Sequence, residues 1–166
     1  MKTTPLILGA LLLAGILATP AAAFTITSLA VNIGENGDAR VTVDYSLSWM
    51  ERFAVYTRIA HPEQQLETAL ESFSGKEVAI QSVTPARTTL VIEEFADLAD
   101  DETGTTYTPP AMDFTLAEQK VRGYWFSRFV TLDLSPARTV ITFPDGYNAP
   151  FMDVAYIPSV SHTVGI

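Results

Sequence analysis

The chain has 166 residues, a formal charge of −9 and no cysteine. That length suits a single domain able to bury its own core, and the missing thiols exclude disulfides, thiol catalysis and cysteine-ligated metals. The acidic balance, without any cluster of Lys or Arg, argues against nucleic acid and anionic lipid as partners.

The N-terminal stretch reads as a secretory leader. Lys2 supplies a short basic start, and Leu6 to Ala18 is an uninterrupted apolar run. Thr19-Pro20 breaks that run before Ala21-Ala22-Ala23, a site of small residues ahead of Phe24. This is the pattern of a cleaved signal peptide over residues 1–23. Read as a membrane anchor, thirteen helical residues would reach only about 20 Å, against a hydrocarbon core of about 30 Å. The expected mature unit is therefore one secreted β-rich domain, residues 24–166, with no stable membrane span.

Phe24 to Ile33 reads as a first strand whose inward phase shifts between Ile26 and Leu29, so a bulge is expected near Thr27-Ser28. Gly34 to Asp38 contains an Asn-Gly pair suited to a turn. From Ala39 to Trp49 every odd residue is apolar or aromatic and every even one is polar, the alternation of a strand with one dry face. Residues 24–49 are thus expected to form an antiparallel hairpin. Met50 to Ala60 fits helix and strand templates alike and is read as a strand or irregular connection.

Pro62 to Gly75 predicts an amphipathic helix. Pro62 suits its first position, Leu66, Ala69, Leu70 and Phe73 share a face, and Gly75 supplies a left-handed cap followed by Lys76. Glu77 to Val83 and Thr88 to Phe95 flank Thr84-Pro85-Ala86 as a second hairpin. Asp97 to Gly104 reads as an acidic loop. Met112, Phe114 and Leu116 alternate as a short strand, Val130, Leu132 and Leu134 as another, and Arg138 to Phe143 as a third ended by a Pro144-Asp145-Gly146 turn. Met152, Val154 and Tyr156 mark the last strand before Pro158 and a tail. The predicted class is mainly β (α+β): an antiparallel β-sandwich of about eight strands with one amphipathic helix.

Chemistry is sparse. His61 and His162 are the two histidines; the first reads as a surface or capping side chain and the second as part of the tail. No nucleophile elbow, zinc-protease motif, P-loop or dinucleotide fingerprint occurs, so no catalytic residue and no cofactor is assigned. Glu93 and Glu94 are adjacent, and neighbours on a strand face opposite ways, so they cannot flank one sugar bond. Asp97, Asp100, Asp101 and Glu102 form a calcium candidate lacking EF-hand spacing, and a solvated acidic loop is its plainer reading. Tyr124, Trp125, Phe126 and Phe129, with Arg122 and Arg128, form the candidate binding surface, against the plainer reading of core packing.

The segments "NGDARVTVDYSLSW" and "TVITFPDGY" resemble uncharacterised exported β-rich domains of archaeal surface and membrane proteins. The resemblance covers only these two strand-and-turn segments. It implies an extracytoplasmic, non-catalytic module and transfers no functional residue. Such domains commonly precede a transmembrane helix, whereas this chain ends "SVSHTVGI", which puts membrane attachment in doubt.

The leading expectation is a secreted, non-enzymatic domain that contacts an envelope protein or polysaccharide. An extracytoplasmic carboxylate-based glycan hydrolase and a self-associating structural subunit of an envelope layer or filament are the alternatives. Intact-mass measurement of protein recovered outside the cytoplasm is expected to give a chain starting at Phe24; a retained leader would refute the export reading.

Overall fold

In the computed structural model, residues 23–46, 67, 70–71, 75–122 and 131–165 are described. The strands are β1 (Ala23–Ile33), β2 (Ala39–Ser46), β3 (Val78–Val83), β4 (Arg87–Ile92), β5 (Asp97–Asp101) and β6 (Gly104–Thr108). They continue as β7 (Met112–Asp113), β8 (Thr131–Asp133), β9 (Arg138–Thr142), β10 (Asn148–Met152), β11 (Tyr156–Ile157) and β12 (His162–Gly165), with helix α1 (Phe114–Val121) between β7 and β8. The fold is mainly β, as expected, and antiparallel pairing dominates. Nine of the described strands have four or more residues, close to the eight predicted.

The large sheet runs β10-β9-β1-β2-β4-β3, with β8 beside β1. Its register lines up one apolar row across six strands: Ala149, Ile141, Val31, Val41, Leu90, Ile80. A second row holds Phe151, Thr139, Leu29, Val43, Thr88 and Val83. Both rows lie on the dry face that the alternation in β2 predicts, while Asn32 and Arg40 on the other face are exposed.

Two bulges keep those rows in phase. The β1–β2 register shifts between Ile26 and Ser28, at the predicted place, so Ile26 and Leu29 point the same way although three residues apart. The bulge also divides the outer edge of β1: Ala23–Thr25 pair in parallel with β8, and Ser28–Asn32 pair in parallel with β9. These two parallel pairs were not anticipated. In β3 the shift between Ile80 and Ser82 does the same for Ile80 and Val83.

The second layer consists of the sheet β12-β6-β5 and the pair β11-β7. Tyr107 of β6 and Ile157 of β11 are buried in the same cluster as Val31, Ile141 and Phe143. The 34–38 turn fastens the layers together. Gly37 O accepts the Ala96 N–H at 2.9 Å, Asp38 Oδ1 accepts the Glu94 N–H at 2.8 Å, and the Tyr107 hydroxyl donates to Glu35 O at 3.0 Å.

Of the helix predicted over 62–75, residues 67, 70 and 71 are described and are helical, and Leu70 packs against the core. Gly75 has φ +69° and donates its N–H to Glu71 O at 2.8 Å, the expected cap. The Thr84–Ala86 hairpin and the Pro144–Gly146 turn also form where predicted.

Three readings are corrected. The acidic stretch is a hairpin: β5 pairs with β6, and β6 is held in turn by β12, a partner far away in sequence. The alternation of Met112, Phe114 and Leu116 stops after Asp113, whose carboxylate accepts the Leu116 N–H at 2.9 Å and caps α1. The C-terminal tail is ordered as β12, because Val164 and His162 alternate with Thr163 and Gly165 against β6. Met50 to Ala60 lies outside the described residues.

Gly37 sits at φ +83°, and a Cβ there would lie 2.8 Å from Ala96 O and 2.3 Å from Leu98 Cδ1. Gly37→Ala is therefore expected to cost about 2–3 kcal/mol, read as a lowered denaturant midpoint. Thr139 is only 1% exposed and its hydroxyl has no hydrogen-bond partner. Thr139→Val keeps the shape and removes the orphan group, so it is expected to stabilise by about 1 kcal/mol, read as a raised Tm.

Candidate functional site

The described residues bring together few of the residues singled out from sequence. Tyr124, Trp125, Phe126, Arg128 and Phe129 lie outside the described residues, as does His61. Arg122 follows α1, exposed, with its guanidinium 3.8 Å from Glu118 Oε2 one turn earlier. That pair is a helix-surface interaction of small energetic weight.

The calcium candidates are dispersed along the β5–β6 hairpin. Asp100 and Asp101 are adjacent in β5 and so face opposite ways, and Glu102 is in the turn. Asp100 Oδ1 accepts the Thr105 hydroxyl at 2.7 Å. Asp101 Oδ1 accepts the Thr103 hydroxyl at 2.6 Å and its N–H at 2.7 Å, and these bonds hold the Asp101 carboxyl below the ordinary 3.8. Among the described residues no three His, Asp or Glu side chains are grouped to hold a metal ion. Glu93 and Glu94 are exposed in the turn after β4, with Glu94 at φ +49°. A depression of about 290 Å³ lies beside them, lined by Asn36, Lys76, Glu94, Ala96, Asp97 and Leu98. Two of its polar groups are already engaged: the Lys76 ammonium donates to Glu94 O, and Asn36 donates to Asp38 Oδ2 at 2.5 Å.

A better-built cluster stands where the β9–β10 hairpin meets β12. The hairpin closes through Gly146 N–H to Phe143 O and Phe143 N–H to Tyr147 O, both 2.9 Å, with Gly146 at φ +84°. A three-residue loop of this kind is a type I turn followed by a left-handed glycine. It fixes Asp145 and Tyr147. Asp145 Oδ1 accepts the Tyr147 N–H at 3.0 Å, and Asp145 Oδ2 lies 2.7 Å from His162 Nε2 on β12.

The rings complete the arrangement. His162 stacks on Tyr147 with centroids 4.3 Å apart and planes 11° from parallel, and it tilts against Phe143 at 4.9 Å. Phe143 is buried at 2% exposure, whereas Tyr147 is 51% exposed. Phe143 and Tyr147 are themselves 6.0 Å apart, so the three rings form a triangle that reaches from the core at Phe143 to solvent at Tyr147. Offset or tilted contacts of this kind add roughly 0.5–1.5 kcal/mol beyond the area buried.

Asp145 is held below the ordinary carboxylate value of 3.8, first by the His162 hydrogen bond and then by the Tyr147 N–H. Nε2 of His162 is committed to that carboxylate and both contacts of its ring are aromatic, so the imidazole acts as a strut. A carboxylate has about four acceptor positions, and two are used here. What the cluster offers to a visitor is a fixed, half-open aromatic ring beside spare carboxylate lone pairs.

Local pattern puts Asp145 in a turn and His162 in a C-terminal tail, and it gives Tyr147 no marked role. The signal available was local only: Tyr147 directly follows a glycine-closed turn, and His162 begins an alternating run. Seventeen residues separate Asp145 from His162, and only the packing of the two layers joins them.

No family model, no curated protein and no solved structure matches this chain. No helix among the described residues is long and apolar enough to cross a membrane.

Because the native Asp145 carboxyl titrates below its ordinary value, its contribution to stability is complete above about pH 4 and fades as pH falls through the lowered native value. Asp145→Asn is expected to lower Tm at pH 7 and to flatten the acid limb of a Tm-against-pH profile. His162→Ala is expected to speed amide exchange in β12, measured by hydrogen–deuterium exchange.

Proposed function

We propose that this protein is a secreted, non-enzymatic domain that makes contact with a protein or polymer of the cell envelope. The observation that carries the reading is the half-exposed Tyr147 ring, held in one orientation by the hairpin, Asp145 and His162. An exposed ring that is already immobilised loses little freedom when a partner covers it, and this favours binding. The leader-like first 23 residues and the resemblance to exported archaeal β domains point to the same compartment.

Three of the sheet edges oppose growth by strand addition. Edge strand β10 carries Pro150, which has no N–H to offer, and edge strand β3 carries a bulge. Edge strand β5 carries Asp97, Asp100 and Asp101, charges that oppose strand pairing. Glu93 and Glu94 are consecutive and exposed in a turn, which does not favour them as the acid pair of the hydrolase alternative.

Co-sedimentation of the purified full chain with isolated cell envelopes tests the reading. Saturable binding to envelopes, with none to an equal mass of phospholipid vesicles, is expected. Absence of saturable binding would refute it. Trp125→Ala run in parallel reports whether the 124–129 aromatics share in the contact.

A further inference from the structure

We propose that Tyr147, backed by His162 and flanked by Asp145, is a stacking subsite for a neutral polysaccharide, an assignment that rests on the envelope-contact function above. The Tyr147 ring stacks on His162 at 4.3 Å and meets Phe143 at 6.0 Å, yet the residue remains 51% exposed, so about half of its surface is available to a partner. The apolar C–H face of a pyranose covers such a ring well, and an aromatic platform supplies contact area at small entropic cost.

Hydrogen bonding beside the ring fits the same visitor. Asp145 already accepts from Tyr147 N–H through Oδ1 and lies against His162 Nε2 through Oδ2, which fixes the carboxylate and leaves acceptor capacity for a further donor. Sugar hydroxyls are donors of the required kind. Asn148 accepts from the Thr142 hydroxyl at 2.7 Å and donates to Gly146 O at 3.2 Å, which stiffens the hairpin that carries the ring.

Charge decides for a neutral polymer. At −9 the chain repels polyanions. A basic peptide would be drawn to the acidic strand β5, but β5 and β12 are opposite edges of the three-stranded sheet.

The experiment is affinity electrophoresis of the purified full chain in native gels containing hydroxyethylcellulose, galactomannan or soluble β-1,3-glucan, with polygalacturonate and polylysine gels beside them. Retardation by at least one neutral polymer is expected, unchanged between about 50 and 500 mM NaCl because no counterions are released. Tyr147→Ala and Tyr147→Leu should bind about tenfold more weakly or worse, and Tyr147→Phe, which keeps the ring, should bind like the parent. Far-UV circular dichroism establishes that each variant is folded. No retardation by any neutral polymer would overturn the proposal, as would equal retardation of parent and folded Tyr147→Leu. Interaction confined to polylysine and lost at high salt would overturn it in favour of a basic peptide. Envelope co-sedimentation that survives in Tyr147→Leu would sink this subsite while leaving the envelope-contact function standing.

Discussion

The turn at residues 34–38 is the constraint on which the rest depends. It closes the β1–β2 hairpin through Gly34 N–H to Asp38 O at 2.8 Å and Gly37 N–H to Gly34 O at 3.0 Å. The same five residues receive Glu94 and Ala96 from the connection between β4 and β5, and Tyr107 from the second layer. Register in the large sheet and contact between the layers therefore share one short segment. A left-handed glycine is required there because Ala96 O and Leu98 occupy the space a Cβ would need. Slippage by one residue would turn Val31, Val41 and their whole row to solvent.

The Asp145–His162 contact is a second link between the layers, placed at the opposite kind of position. The 34–38 turn sets buried Gly37 against Ala96 and bonds buried Tyr107, whereas the second link opens on solvent through Tyr147. Buried links hold a fold together whatever surrounds it. A link whose outermost ring is half exposed presents that ring to the surroundings, and its rigidity comes from the same bonds that join the layers. This coupling of structural and contact roles is why Tyr147, a hairpin residue with no chemistry of its own, is the centre of the site.

Much of the fold was legible in the sequence. The β2 alternation, the bulge near Thr27, the Gly75 cap and the Phe143–Gly146 turn are local patterns with local causes, and each forms where the residues say. The misreadings share a cause as well. Asp97 to Asp101 looked like a loop because four acids in six residues suit solvent, but an edge strand is half solvated and tolerates them. Phe114 and Leu116 alternate with polar residues over too short a span to outweigh the Asp113 cap. His162 looked like tail because its partner strand β6 lies more than fifty residues earlier.

From its sequence alone this chain determined that it would be an acidic, cysteine-free β domain with a leader-like start, since composition and period-two alternation act through every residue independently. It also determined where the chain turns, because glycine and proline restrict backbone angles without reference to anything distant. Tertiary structure alone decided that β1 would share its edge between β8 and β9, that an acidic stretch would pair as a strand, and that Asp145, Tyr147 and His162 would meet. Those outcomes depend on which surfaces pack together, and packing energy is a property of pairs far apart in the chain.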